Sequence, residues 1–361
     1  MLVGVLGGGQ LGRMLAMAGL PLGLRFRFFD PSPEAPAREV GELVVGSFDD
    51  AQALDRFSAG LDVATFEFEN VPLAAAERVA GRVTMHPSPR ALATGQDRLS
   101  EKMLFREVGV GVHDFAPAGS DAEVRSAAAT LGLPLIAKTR RMGYDGKGQK
   151  VLRHEADVAV CWAELGGVPL LLERLVPFER EVSVVACRGV GGEFAAYPLT
   201  QNTHVRGILR ESAAPAADPG GRLGEEAARH ARRIMERLGY VGVAAVEFFV
   251  RGGELLANEM APRVHNSGHW TIDGCQCSQF ENHCRAIAGL PLGPTAARAP
   301  SVMVNLIGHV PSAAEVLRLP GAHLHLYGKA PRPGRKVGHV TLVGPDAVAG
   351  AERVAALSPI T

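Results

Sequence analysis

Three short hydrophobic runs mark the first seventy residues, and polar or glycine residues follow each of them. The runs predict strands over residues 2–6, 25–29 and 62–68. The glycine-rich segment 7–12 predicts a tight turn that opens a helix over 13–18. Because strands alternate with helical segments here, we predict a doubly wound parallel sheet over residues 1–95.

A second unit begins with a helix over residues 97–108 and extends to 293. Its strands are predicted over residues 134–138, 150–153, 170–172 and 181–186. A long helix follows Asp218, and its apolar positions keep helical spacing. These positions are Leu223, Ala227, Ala231, Ile234 and Leu238. From residue 294 onwards, further strands and a terminal helix predict a small mixed α+β domain.

A predicted hairpin brings two glutamates together. Two apolar runs flank Gly252 and Gly253, which is typical of a β-hairpin. A two-residue loop sets Glu247 opposite Asn258, whereas a three-residue loop with a glycine bulge sets Glu247 opposite Glu259. Buried carboxylates in that arrangement repel each other unless a cation lies between them. We therefore predict the three-residue loop and a site for Mg²⁺, or for Mn²⁺, that phosphate oxygens complete.

A dense polar segment follows this hairpin. Arg263, His265 and Asn266 lie within a few residues of Glu259, between proline and glycine. The alternative is a surface hairpin with ordinary exposed glutamates. A cluster of polar groups directly after a buried strand instead favours a site on a loop that a rigid scaffold carries.

A second glycine-rich segment is cationic. Lys138 ends a predicted strand, and residues 143–148 follow it with Lys147 among them, so that a lysine and backbone N–H groups are available to phosphate oxygens. The alternative is an ordinary surface hairpin, and the segment is not a Walker A loop. The connector after Glu173 offers backbone groups to an adenine edge, and Glu181 offers a carboxylate to ribose hydroxyls.

The bulk composition excludes several classes of protein. The 361 residues carry 38 basic and 38 acidic side chains, so no global basic field favours nucleic acid as the main partner. No apolar run has the length of a membrane span, and the N-terminus lacks the pattern of a signal peptide. The five cysteines fit no zinc spacing and predict free thiols in the cytoplasm.

Taken in order, these motifs resemble the ATP-grasp superfamily and, within it, the 5-(carboxyamino)imidazole ribonucleotide synthetase family. The segments that carry the resemblance are GQLGRM at 9–14, GYDGKGQ at 143–149, YPLT at 197–200, NEMAPRVHNSGHW at 258–270 and RPGRKVGH at 332–339. They extend over nearly the whole chain. Met142 departs from the pattern, since relatives usually carry glycine there.

The resemblance implies a three-domain ATP-grasp fold of α/β and α+β class, in which the central domain, residues 96–293, carries a lid over 112–180. It implies a cytoplasmic, homodimeric ligase that uses ATP, Mg²⁺ and bicarbonate to carboxylate 5-aminoimidazole ribonucleotide in purine biosynthesis. It assigns ATP to Arg98, Lys138, Gly143, Tyr144, Asp145, Gly146, Lys147, Gly148, Gln149, Glu173, Arg174, Leu175, Val176, Glu181, His204, Asn258 and Glu259. It assigns the metal to Glu247 and Glu259. It assigns the ribonucleotide to Gln10, Leu11, Glu67, Asn70, Tyr144, Asn266, Arg335 and Lys336.

In that reaction bicarbonate attacks the γ-phosphorus and gives carboxyphosphate, whose planar oxyanion suits bidentate hydrogen bonds from Arg263. His265 and Lys336 are predicted to steady the intermediate or the CO₂ released from it. Asp145 is the candidate acceptor for the amine proton. Closure of residues 143–149 would exclude water, in which carboxyphosphate decomposes.

Three other functions compete with this prediction. The segment 7–12 and Asp30 match the fingerprint of a dinucleotide-dependent oxidoreductase, although that function leaves Glu247, Glu259 and Lys138 unexplained. A different ATP-grasp ligase would act on biotin or glycinamide ribonucleotide. A non-enzymatic nucleotide-binding module would not need both metal carboxylates.

Overall fold

The N-terminal sheet is present in the computed structural model, which describes residues 1–143, 147–218 and 220–359. Its elements are β1 (Leu2–Leu6), α1 (Gln10–Gly19), β2 (Arg25–Asp30), β3 (Glu42–Val45), α2 (Ala51–Ser58), β4 (Val63–Phe66) and α3 (Leu73–Ala80). The strands are parallel in the order β3-β2-β1-β4. The sequence pattern misses β3, because this edge strand is short and only partly buried.

A second sheet follows two helices, α4 (Pro89–Gln96) and α5 (Arg98–Glu107). Its elements are β5 (Phe115–Ala118), α6 (Asp121–Leu131), β6 (Leu135–Thr139), β7 (Gln149–Leu152), α7 (Glu155–Glu164) and β8 (Leu170–Arg174). The strands pair antiparallel in the order β5-β8-β6-β7. This sheet, the lid sheet, lies within the range for which the lid is predicted, and β6 carries Lys138 near its end.

The largest sheet continues from the central unit into the C-terminal segment. Its central elements are β9 (Arg180–Arg188), β10 (Phe194–Ala196), β11 (Thr200–Val205), β12 (Ile208–Ala214), α8 (Arg222–Leu238), β13 (Gly242–Arg251), β14 (Glu254–Ala261), α9 (Thr271–Gly274) and α10 (Gln279–Ile287). The C-terminal elements are β15 (Ser301–Ile307), α11 (Ala313–Val316), β16 (Ala322–Leu326), β17 (Lys336–Val343) and α12 (Ala347–Leu357). The strand order is β14-β13-β9-β11-β12-β15-β17-β16, with β10 on β9. β12 pairs directly with β15, so the small C-terminal domain shares this sheet with the central one.

Helix α8 covers one face of this sheet as its periodicity predicts. All five apolar positions named above are buried, and the helix packs on β9, β13 and β14. The Asp218 carboxylate accepts hydrogen bonds from the backbone N–H groups of Leu223 and Gly224, at 3.2 and 2.7 Å. Gly239, with φ of 58°, ends the helix in the left-handed conformation.

The loop of the β13–β14 hairpin differs from the prediction, but the predicted pairing of Glu247 with Glu259 is present. Gly252 and Gly253 form a two-residue loop with φ of 57° and 74°, so the predicted three-residue loop is wrong. Two successive glycines accept the positive φ of a type I′ loop without strain, and that loop matches the twist of the strands. Glu247 nevertheless lies opposite Glu259, because the register shifts by one residue and Asn258 bulges out of β14. The bulge, not the loop, puts both carboxylates on one face.

Within the described ranges, no helix has the length and apolarity needed to cross a membrane.

Candidate active site

A cleft of about 650 Å³ opens between the lid sheet, the β13–β14 hairpin and the carboxyl ends of the N-terminal strands. Most of the predicted site residues line it. They are Gln10, Leu11, Asn70, Arg98, Lys138, Gly143, Lys147, Gln149, Glu173, Arg174, Leu175, Val176, Glu181, His204, Glu247, Asn258, Glu259, Arg263, His265, Asn266 and Lys336. Segments from the first helix to the last strand therefore meet in one cavity.

Six predicted residues are not in that lining. Tyr144, Asp145 and Gly146 lie outside the described residues, and their roles stay predictions. Arg335 is half-buried and donates to the carbonyl of Ala330 at 3.2 Å instead of facing the cleft. The other two residues absent from the lining are Gly148 and Glu67.

The structure places Glu67 beneath the N-terminal glycine turn. Its carboxylate accepts hydrogen bonds from the N–H groups of Gly9 and Gly12, the latter at 2.6 Å, and burial raises its pKa. The Asp30 carboxylate accepts a hydrogen bond from the backbone N–H of Gly8 at 2.9 Å. The donors that a dinucleotide pyrophosphate would need are thus used internally, which removes the basis of the oxidoreductase alternative.

We expect Glu67→Gln to lower the free energy of unfolding by about 1–3 kcal/mol, because one N–H of the glycine turn then faces the amide NH₂ group and loses its acceptor in the interior. Urea unfolding measures this change. Asp62→Asn is the matched control, since the Asp62 carboxylate accepts the Leu2 N–H at 2.6 Å in an exposed position where water can replace it. Equal losses in the two variants would contradict an internal role for Glu67.

Glu69, two residues after Glu67, lines the cleft. It forms an ion pair with Arg263, and both side chains line the cavity. Burial acts to raise the pKa of Glu69, but the charge and hydrogen bond of Arg263 outweigh it and hold that pKa at about 2. Arg263 is therefore fixed as a cation inside the cleft by a neighbouring carboxylate.

The two hairpin carboxylates have different surroundings. Burial and the charge of Glu259 raise the pKa of Glu247 to about 7. Burial opposes ionisation of Glu259 as well, but Arg98, at 2.9 Å, and Lys138 keep the pKa of Glu259 below its usual value. His265 Nε2 lies 3.2 Å from Glu247, yet burial and Arg263 lower the pKa of His265 to about 3, so that a neutral ring faces Glu247.

This arrangement fits a divalent cation. Glu247 has a carboxylate neighbour and a neutral His265 ring beside it, and the charges of His204 and Lys336 offset its raised pKa only in part. Asn258 lies at the bulge beside the pair. Among the described residues, no group of three or more His, Cys, Asp or Glu side chains forms a closed metal site. Mg²⁺ suits such an open pair, since it typically takes one or two carboxylates and fills the remaining positions with water and phosphate oxygens.

A buried chain of charges links Lys138 to the hairpin. Lys138 Nζ lies 2.9 Å from Glu173 Oε2 and 3.4 Å from the Asn258 side-chain oxygen. Lys102 Nζ, on α5, lies 3.4 Å from Glu173 Oε1 and donates to the Ala257 carbonyl at 3.1 Å. Sequence reasoning missed Lys102, because nothing in a helical pattern shows that one lysine of α5 turns into the protein.

The structure brings together Glu181 and His204, two of the residues predicted to bind ATP. Glu181 on β9 forms a hydrogen bond with His204 on β11, and both line the cleft. Burial acts against protonation of His204, but the bond to Glu181 and its charge raise the pKa of this imidazole. The Glu181–His204 pair therefore forms part of the cleft wall, with Oε2 of Glu181 bonded to His204.

Two lysines of the C-terminal segment lie in the cleft wall or beside it. Lys336 opens β17 and lines the cleft, and Lys329 donates to the side-chain oxygen of Gln10 beside the glycine turn. Burial lowers the pKa of Lys329, and Arg335 and Arg332 are near enough to lower it further. The signal for Lys329 was its position shortly before the RPGRKVGH motif.

Met142 occupies a backbone conformation that suits glycine. Its φ is 65°, and its side chain is exposed at the edge of the cleft. We expect Met142→Gly to stabilise the folded state, by up to about 1 kcal/mol, because the left-handed strain of an L-residue slightly exceeds the entropy cost of glycine. Urea unfolding tests this expectation, and Met142→Ala, which keeps the strain, should bring no gain. An equal gain from alanine would show that the side chain and not the backbone sets the stability here.

Three family models match the sequence. A ribonucleotide synthetase preATP-grasp domain matches residues 1–96, an ATP-grasp domain matches 103–280, and a phosphoribosylaminoimidazole carboxylase C-terminal domain matches 301–353. Two curated relatives are named N5-carboxyaminoimidazole ribonucleotide synthase. The protein of Pseudomonas aeruginosa is 52% identical over 342 residues, which cover 95% of this chain and 94% of the relative. The protein of Brucella melitensis is 44% identical over 352 residues, which cover 96% and 97%.

Solved structures agree with these relatives. N5-carboxyaminoimidazole ribonucleotide synthetase from Thermus thermophilus has a TM-score of 0.95 and 55% identity to this chain, over 99% of this chain and 98% of that one. The N5-carboxyaminoimidazole synthase from Aspergillus clavatus, in complex with ADP and 5-aminoimidazole ribonucleotide, has a TM-score of 0.91 and 32% identity, over 99% and 98%. Both similarities span all three parts of the fold.

Proposed function

This chain belongs to the N5-carboxyaminoimidazole ribonucleotide synthase family, and we propose from its cleft how ATP, bicarbonate and 5-aminoimidazole ribonucleotide meet there. It is an ATP-grasp ligase of purine biosynthesis with the three-domain architecture of that family. The observation that carries the proposal is the convergence of Lys138, the Glu247–Glu259 pair and the Glu69–Arg263 pair on one cavity.

The nucleotide lies between the lid sheet and the hairpin in this proposal. Lys138 and Arg98 neutralise the charge of phosphate oxygens, and Glu181 accepts hydrogen bonds from the ribose hydroxyls. Glu247 and Glu259 would hold Mg²⁺, which would supply positive charge to balance the triphosphate. Lys138 is already positioned for this task, because Glu173 and Asn258 fix its ammonium group.

Bicarbonate and the ribonucleotide occupy the other half of the cleft. Bicarbonate attacks the γ-phosphorus, whose bond to the bridging oxygen breaks so that ADP leaves. Arg263, held by Glu69, orients the resulting carboxyphosphate through paired N–H donors. His265 is neutral and orients this group without adding charge. The amine of the ribonucleotide then attacks the carboxyl carbon, and inorganic phosphate leaves.

The C-terminal cations serve the ribonucleotide phosphate in this proposal. Lys329 is bonded to Gln10 beside the glycine turn, and Lys336 lines the cleft. Asp145 remains the proposed proton acceptor from the sequence. The family resemblance also leads us to propose a homodimer, which light scattering in solution tests directly.

Phosphate release from Mg-ATP and bicarbonate, with and without 5-aminoimidazole ribonucleotide, tests the function. We expect release that depends on the ribonucleotide and transfer of a bicarbonate-derived label to it. Turnover indifferent to the ribonucleotide would retain the ATP-grasp activity and reject the acceptor. Absence of any ATP turnover would reject the assignment of the phosphate site.

A further inference from the structure

One buried histidine near the predicted nucleotide site has an unused nitrogen. His113 lies just before β5 and is only 6% exposed. Within the described part of the chain its Nε2 atom has no hydrogen-bond partner. Buried polar atoms of native proteins nearly always have a partner, so an exception at a cavity wall points to a ligand.

The position of His113 identifies which part of a ligand it would meet. Its ring lines the active cleft and also an adjoining cavity of about 550 Å³. The backbone N–H of Arg174 donates to the carbonyl of Asp114 at 2.9 Å, which ties the segment of His113 to the connector after Glu173. This connector is the segment predicted to receive adenine, so His113 lies beside the base and not beside the phosphates.

The surroundings of the ring suit a flat, uncharged group. His113 packs on Phe249, with ring centroids 5.6 Å apart, and Phe249 stacks on Phe178 at 4.4 Å and 19°. Burial and the charge of Lys102 lower the pKa of His113 to about 4; Glu173 opposes this shift, and Lys138 and Arg251 add to it. A neutral imidazole beside stacked aromatic rings offers a hydrogen bond and no charge. It therefore suits the edge of a purine better than an anionic effector.

We propose that His113 hydrogen-bonds to the purine base of bound ATP and strengthens nucleotide binding beyond what the connector backbone provides. This inference rests on the proposed function, because it places the nucleotide base at residues 174–176. His113 is then a residue that binds the nucleotide and takes no part in the transfer of the carboxyl group.

His113→Phe tests the proposal, since phenylalanine keeps a ring of similar size and removes both nitrogens. We expect the KM for ATP to rise about tenfold, while kcat and the KM for 5-aminoimidazole ribonucleotide stay unchanged. Thermal unfolding provides a second measurement, in which the Tm without nucleotide and the Tm increase produced by Mg-ATP should change in opposite directions. Without nucleotide the variant should be at least as stable as the parent, because no polar nitrogen is buried unpaired, yet Mg-ATP should raise its Tm less.

His230→Phe is the matched control. His230 is also buried with an unpartnered nitrogen, Nδ1, and packs on Phe248, whose ring centroid is 6.0 Å away, but it does not line the cleft. Its replacement should leave the Tm increase produced by Mg-ATP unchanged.

A parental KM for ATP in His113→Phe, or an equal drop in the Tm increases produced by Mg-ATP and by the ribonucleotide, would overturn the proposal. If the parent protein shows no ribonucleotide-dependent turnover, the proposed function fails, while the Mg-ATP shifts still decide the role of His113.

Discussion

Replacing Glu259 by glutamine is expected to reduce ribonucleotide-dependent ATP turnover by a factor of about 100–1,000, the usual loss when a preorganised charge at a reaction centre is removed. Glu259 lies opposite Glu247 and is ionised beside Arg98. The variant loses half of the carboxylate pair that would hold Mg²⁺. It also leaves Arg98 without its acidic partner.

The fold should tolerate this change. Removal of the charge relieves the repulsion that raises the pKa of Glu247, and this gain offsets part of the lost ion pair. Initial rates and Mn²⁺ titration followed by electron paramagnetic resonance measure the two effects. Glu254→Gln, an exposed position on the same strand, should keep both activity and Mn²⁺ affinity. Activity in Glu259→Gln within a few-fold of the parent would remove Glu259 from the metal site.

Replacing Glu173 by glutamine is expected to cause the largest loss of stability, about 3–5 kcal/mol in the free energy of unfolding. Glu173 is the anion between Lys102 and Lys138, and all three side chains are buried. Without its charge, two ammonium groups face each other in the interior. Urea unfolding at pH 7 measures the loss.

A second substitution provides the control. Adding Lys102→Met to Glu173→Gln removes one of the two unpaired cations, so we expect the double variant to recover a large part of the stability. Lys102→Met alone leaves the Lys138–Glu173 pair and should cost little. Additive losses in the double variant would show that these groups do not compensate each other's charge.

Acid should abolish the difference between parent and Glu173→Gln. Burial acts to raise the pKa of Glu173, but Lys138 and Lys102 outweigh it and lower that pKa from 4.5 to about 2. A carboxyl whose pKa is depressed in the folded state stabilises it fully above the unfolded value and loses that contribution as pH falls through the folded value. The unfolding free energies of the two proteins should therefore converge between pH 4.5 and about 2.

Most helices and strands, and most residues that line the cleft, could be predicted from the sequence. The strand register of the β13–β14 hairpin was harder to predict. Helical spacing identified the buried face of α8, because one face of a surface helix must be apolar. The pairing of Glu247 with Glu259 was predicted correctly but for a wrong reason. The prediction assigned the register to a longer loop, whereas a bulge at Asn258 produces it, and no sequence pattern marks that bulge.

Hydrophobic periodicity does not show which of two nearby glutamates lines the cleft. Glu67 and Glu69 follow β4, where the chain leaves the regular strand at Phe66, and only the path of the turn sends one inward and the other into the cleft. Lys102 and His113 escaped notice for a different reason. Their partners lie in distant segments, so their importance depends on tertiary contacts that no local pattern records.

The pairing of β12 with β15 has a consequence for chimeric proteins. The C-terminal segment is joined to the central sheet by four residue pairs, from Glu211 opposite Val304 to Ala214 opposite Ser301. An exchange of this segment between two family members must therefore preserve a four-pair register as well as the cleft. A chain cut before residue 301 would expose an unpaired strand edge, which is a template for aggregation. The portion of the protein that supplies Lys329 and Lys336 thus behaves in folding as part of the nucleotide-binding body and not as a removable module.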